Sequence, residues 1–205
     1  MSRGMKRKRL SASSRLRDTA AGGFHLTGQL LIAMPGMRDL RFNNSVVYLC
    51  AHGAEGAMGL VVNKVMDSLT VPELLAHLEV PAPALKPAPV HFGGPMETAR
   101  GFVLHTGDYA EDSTLTIAPD FALTTTLDVL RAIGRGDGPR RALLALGFAS
   151  WAPGQLDAEI QANAWLHGPA NADLVFDQAD DSKWTGAIAA LGIDLTMLST
   201  VAGHA

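Results

Sequence analysis

The chain has 205 residues, 47% of them hydrophobic, with a formal charge of −3, one cysteine and seven histidines. That is the size of one ordinary domain, able to bury about 70% of its unfolded surface without a disulfide or a metal. The lone Cys50 excludes an internal disulfide and any cysteine-based zinc set, and no run of about eighteen apolar residues is present to cross a bilayer as a helix.

The charge is unevenly spread. Residues 1–17 carry seven basic side chains (Arg3, Lys6, Arg7, Lys8, Arg9, Arg15 and Arg17) and no acidic one, which leaves 10 basic against 20 acidic residues in the remainder. A body this acidic repels phosphates and anionic lipid, so neither nucleic-acid binding by the folded part nor membrane attachment is expected. The basic start runs into SASSRLRDTAAGG rather than an apolar stretch, so it does not read as a secretory signal, and a cytoplasmic location is expected. Residues 1–24 are expected to form a basic disordered extension to one domain over 25–205. The tail could instead be an arm that touches nucleic acid or lipid, or a transit-like segment.

In chain order, Leu30 to Met34 form a short apolar run closed by Pro35-Gly36, which predicts a buried strand. A polar loop holding Asp39 follows. SVVYLCA and GAMGLVVNK are apolar runs joined by the short HGAEG, the pattern of a hairpin, and Cys50 at the end of the first is expected to be a buried, inert thiol. Thr70 and Glu73 have capping-box spacing and Pro72 falls in the first turn, so SLTVPELLAHLEV predicts a helix with Leu74, Leu75 and Leu78 as its apolar stripe. The proline-rich PAPALKPAP ends it. PVHF, RGFVLH and STLTIAP predict a meander of short strands.

Leu123, Leu127 and Leu130 at i, i+4 and i+7 predict a second helix that ends at the glycines of GRGDG. RRALLALGF is continuously apolar, as in a strand covered on both faces. Pro153-Gly154 then opens a third helix over about Gln155 to Leu166, NADLVFD reads as a strand, and SKWTGAIAALG predicts a last helix through Trp184, Ala187, Ile188 and Leu191 with Gly192 as its cap.

The stretch GFASWAPGQLDAEI passes from strand through loop to helix and carries Trp151, Asp157 and Glu159. On a helical wheel Asp157 and Gln161 share one side, whereas Glu159 and Asn163 lie opposite, next to Leu156 and Ile160. A carboxylate beside the core face must be hydrogen-bonded or protonated. Glu159 is therefore either an acid, base or ligand anchor walled by Trp151, or the acceptor for loop amides or the Trp151 indole that locks the turn. Gly93-Gly94-Pro95 could bring backbone amides to an anion or simply turn tightly, and it matches neither the phosphate-loop nor the dinucleotide pattern. His105 and His52 are the histidines best placed for chemistry, although each better suits an ordinary strand end. Ser150 sits in G-F-A-S-W, not in the G-x-S-x-G of a hydrolase elbow. Asp39 is placed to bind a ligand or to cap its own loop. The candidate binding residues are Asp39, Gly93, Gly94, Pro95, Trp151, Gln155, Glu159 and Asn163, with no metal, cofactor or catalytic set expected.

GQLLIAMPGMRDLRFNNSVVYLC, GAMGLVVNK, HFGGP, GFVLH, GFASWAPGQLDAEI with Trp165, and the terminal AGHA together resemble the YqgE/AlgH family of bacterial proteins, from about Leu26 to the C-terminus. The basic extension lies outside that pattern, and Ser150 stands where the family usually has glycine. The resemblance implies a compact single α+β domain with a mixed, partly closed β-sheet and about four helices packed around it. It also implies a tie to transcriptional regulation through a link to alginate production, and it supplies no catalytic residues. The expected function is a non-enzymatic binding or regulatory module acting through an unknown protein or small-molecule partner. The alternatives are a hydrolase or transferase using Glu159 or His105 as acid–base group, and DNA binding through the basic tail.

Overall fold

The computed structural model describes residues 25–82, 87–195 and 198; the basic extension over 1–24, connector residues 83–86 and the terminal AGHA lie outside the described residues. The strands are β1 (Gln29–Ala33), β2 (Val46–Gly53), β3 (Gly56–Val61), β4 (Val65–Thr70), β5 (Pro89–Phe92), β6 (Met96–His105), β7 (Leu115–Ala118), β8 (Phe121–Thr124), β9 (Ala142–Trp151) and β10 (Trp165–Pro169). The α-helices among the described residues are α1 (Val71–His77), α2 (Leu127–Arg135), α3 (Gln155–Gln161) and α4 (Asp180–Ala190). The strands form one mixed sheet in the order β10-β1-β2-β3-β9-β6-β8-β7, with β5 beside β9 and β4 outside β5. Every pairing is antiparallel except β5 with β9. The sheet curls enough for Tyr48 of β2 to stack on Phe121 of β8 at 4.6 Å between ring centroids.

Strand alternation splits the core in two. Leu30, Ile32, Val46, Tyr48, Leu60, Leu104 and Leu143 face inward and meet Ile188 of α4. Their outward neighbours form two clusters: Leu31, Val47, Leu49 and Val61 under α3, and Val90, Val103 and Leu144 under α1 and α2. β9 is the strand that joins these regions. Its first half lies between β5 and β6, and its last three residues pair with β3.

The change of partner happens at Gly147. Leu143 and Ala145 face inward and Leu144 outward, yet after Gly147 it is Ala149 and Trp151 that face outward. One extra residue inverts the alternation, which is the signature of a β-bulge. Gly147 has φ +73°, and a Cβ there would lie 2.4 Å from the Gly94 carbonyl oxygen. Gly94 has φ +152°, and its Cβ would lie 2.1 Å from the carbonyl carbon of Phe148. Gly93 fills the step between strands: its N–H donates to Leu146 O and its carbonyl accepts from Val61 N, both at 2.8 Å.

The hairpin, the capping box of α1 and the doubly covered β9 match the sequence reading. Thr70 Oγ1 accepts from Glu73 N while a Glu73 carboxylate oxygen accepts from Thr70 N. Five expectations are corrected. Leu78 is 40% exposed, because α1 ends at His77, and the buried face is Val71 and Leu75. Leu123 belongs to β8, and α2 buries Val129, Leu130, Ala132 and Gly134 instead of Leu127. PVHF leaves the predicted meander to pair parallel with β9, and β4, which no pattern announced, covers its other edge.

NADLVFD is a π-helical turn, Asp173–Asp177, in which Asp173 and Asp177 both accept from Arg141 Nη1 at 2.7 Å. In a strand those two aspartates would stand about 13 Å apart, too far for one guanidinium. The third helix stops at Gln161 instead of Leu166, since Asn163 takes φ +56° and releases the chain into β10.

Gly94→Ala is expected to lower the unfolding free energy by about 3 kcal/mol or more, because its new atom meets backbone. Gly136→Ala, with φ +83° and open space around it, is expected to cost only about 1 kcal/mol. Urea denaturation of both variants checks the contrast, and equal losses would contradict the close backbone crossing.

Candidate functional site

The bulge at Gly147 points Trp151 to the α3 side of the sheet, and the Ala152–Gly154 turn then folds α3 back over it. Gln155 opens α3; its Oε1 accepts from Ala152 N at 3.0 Å and its Nε2 donates to Glu159 Oε1 at 2.9 Å. Glu159 Oε2 accepts from two indoles, Trp151 Nε1 at 2.9 Å and Trp165 Nε1 at 2.8 Å. Both tryptophans are buried. One carboxylate thus satisfies both indole donors and one amide donor, a strong arrangement because the acceptor is an anion.

The indoles meet edge to face at 6.0 Å, and Phe42 closes the group at 5.6 Å from Trp165 and 6.4 Å from Trp151. Phe42 arrives on a 3-10 turn, Leu40–Phe42, capped by Asp39, whose carboxylate accepts from Arg41 N at 3.0 Å. Arg41 Nη2 adds a 2.7 Å ion pair to the same carboxylate. That hydrogen bond holds the Asp39 carboxyl below its ordinary range, against the smaller upward push of burial.

These elements surround a cleft of about 560 Å³. Its wall includes Asp39, Pro95, Trp151, Gln155, Glu159 and Asn163, six of the eight predicted residues, together with Phe42, Trp165 and the flexible side chains of Met34, Met37 and Met96. Gly93 and Gly94 are not part of it; they are buried in the strand crossing and serve the fold. Asn163 lies on the cleft rim two residues past the end of α3, just after its cap Ala162, rather than on the helix.

The other candidates are held elsewhere. His105 is fully buried, with Nδ1 against Thr106 O and Nε2 against Thr124 Oγ1, both at 2.9 Å. Both ring nitrogens are engaged and no solvent reaches them, so proton exchange with a substrate has no route. His52 Nδ1 accepts from Leu26 N at 3.3 Å and its Nε2 lies 3.6 Å from Asp157, which joins the hairpin to α3. Ser150 lies on the cleft wall, and no histidine among the described residues lines it. Burial pushes the Cys50 thiol up to about 12, the inert state expected of it. Trp165, Phe42 and the methionines were absent from the predicted set. Asn163 was the signal for Trp165, since asparagine readily takes the left-handed conformation that ends a helix.

Fold and cleft define a class of protein: a curled, mixed α+β domain with an aromatic cleft where its central strand meets a short helix. An AlgH-like family profile matches residues 30–196. A UPF0301 protein of Rhodospirillum rubrum is 53% identical over 182 residues, covering 88% of this chain and 95% of its own. One from Ruegeria pomeroyi is 55% identical over 183 residues, covering 88% and 99%. The chain is also similar to the solution structure of the AlgH protein from Pseudomonas aeruginosa, with a TM-score of 0.70 and 40% identity over 97% of this chain and 100% of that one. A Corynebacterium diphtheriae protein at 22% identity, covering 93% and 100%, shares the fold with a TM-score of 0.70. This chain belongs to the AlgH-like family.

Glu159→Ala is expected to destabilise the protein by about 2–4 kcal/mol, since it strands two buried indole donors. Glu159→Gln keeps an oxygen for both indoles and is expected to cost only about 1 kcal/mol, through the mismatch with Gln155. Chemical denaturation followed by tryptophan fluorescence measures both, and an inverted order would show that the indoles do not depend on that oxygen.

Proposed function

We propose that this protein is a non-enzymatic, cytoplasmic binding module with a regulatory role, which holds a small molecule or a segment of a protein partner in the cleft between α3 and the Phe42 turn. The observation that carries the reading is the convergence of Asp39, Trp151, Gln155, Glu159 and Asn163 with Phe42 and Trp165 around one concave surface. Apolar and aromatic walls with a few fixed polar groups are the usual make-up of a ligand site. Methionines at its edge let such a wall adapt to what it holds.

The same geometry speaks for binding over catalysis. Both oxygens of Glu159 are already engaged by neighbouring donors, and His105 is sealed in the core. No helix among the described residues is long and apolar enough to cross a membrane. The regulatory role follows from the family resemblance and is offered on that basis.

The test uses the indole N–H resonances of Trp151 and Trp165 in proton–nitrogen spectra, recorded against a library of small molecules and short peptides. A true ligand is expected to shift both resonances saturably and to bind Phe42→Ala at least about tenfold more weakly. Ligands held equally well by the wild type and by a folded Phe42→Ala variant would remove the cleft from consideration.

A further inference from the structure

The polar groups on the wall of the aromatic cleft differ in what they can still bind. Its two carboxylates are already matched: Asp39 receives the Arg41 guanidinium on both oxygens, and Glu159 receives two indoles and the Gln155 amide. Three exposed side chains on the same wall are not matched. Arg38, Ser150 and Asn163 make no side-chain hydrogen bond or ion pair with another described residue. A guanidinium can only donate and stays charged, and a hydroxyl or amide can donate as well.

The charge around the cleft favours the same kind of ligand. Lys64, whose Nζ donates to Arg41 O at 2.8 Å, adds a third cation to Arg38 and Arg41, against the carboxylates of Asp39 and Glu159. This local excess of positive charge lies on a chain in which, beyond residue 17, acidic side chains outnumber basic ones 20 to 10. The accessible apolar part of the wall comes from Phe42, Met34, Met37 and Met96. Such a wall suits a flat ring, which packs on Phe42 and meets methionine sulfur at its edge.

On the basis of the binding role proposed for this cleft, we propose that its occupant is a small monocarboxylic acid with an aromatic body, the carboxylate paired with Arg38 and the ring against Phe42. A planar guanidinium meets a carboxylate through two parallel hydrogen bonds. A cation would meet Arg38 and find both carboxylates already paired. A dianionic phosphate calls for more than Arg38, the one unpaired cation among the described residues of the wall. The volume of about 560 Å³ is that of a small-molecule site.

Hydrocinnamate is the probe, with hydrocinnamide as its uncharged counterpart of the same shape. Proton–nitrogen spectra of the full-length protein follow the Arg38 Nε–H and the indole N–H groups of Trp151 and Trp165 together. The acid is expected to shift all three saturably and to bind about fivefold tighter than the amide at low salt, the upper range for an ion pair in reach of water. High salt is expected to narrow that preference, and in Arg38→Gln the acid and the amide are expected to bind alike. Equal binding of the two by the wild type, both weakened by Phe42→Ala, would overturn the charge assignment while leaving the cleft a binding site. Acid binding that is indifferent to Phe42→Ala would overturn both readings. Absence of saturable binding by the acid, or tighter binding of a short peptide with a free C-terminal phenylalanine, would overturn the assignment to a small acid.

Discussion

The structure depends on a backbone crossing that only glycine permits. β9 must pair with β5 through Leu144–Leu146 and then with β3 through Ala149–Trp151. Gly93 and Gly94 pass directly over the Gly147 bulge, at separations where any Cβ would strike backbone. The same bulge inverts the side-chain alternation of β9, so fold and cleft share one cause. Without the extra residue, Trp151 would continue the inward series of Leu143 and Ala145 and there would be no aromatic wall for α3 to cover.

Glu159 is the second organising group, and its energetic role is clear from the counting of donors. Two buried indoles need acceptors, and a single carboxylate from α3 meets both. Gln155 links that carboxylate to the loop amide of Ala152, so the helix, the loop and both strands are tied through one side chain. The cleft beside it is therefore preorganised: its aromatic floor is held from behind, while the flexible methionine side chains lie at its edge.

Much of this could be read from the residues, and the exceptions share a reason. The β2–β3 hairpin, the Thr70 cap and β9 are specified by neighbours in sequence, through a short glycine-bearing turn, a reciprocal hydrogen bond and unbroken apolarity. Glu159 beside Trp151 was also legible, because helical spacing put a carboxylate next to the core face. What local pattern could not show was decided by distant partners. Leu123 fits a helical stripe but is claimed by β6 across Leu104, and the apolar centre of NADLVFD curls because Arg141 draws two aspartates together.

The pairing of β1 with β10 sets an order on the molecule's own assembly. β1 is among the first described segments to leave the ribosome, yet one of its edges is closed by residues 165–169 and its last carbonyl, on Ala33, is held by Trp184 of α4. β3 likewise waits for the end of β9. The β2–β3 hairpin can form as soon as it emerges, but the strand beside it stays half-paired until β10 has been made. Until then the growing chain presents an apolar, unpaired β1 edge, the kind of surface that nascent-chain chaperones cover.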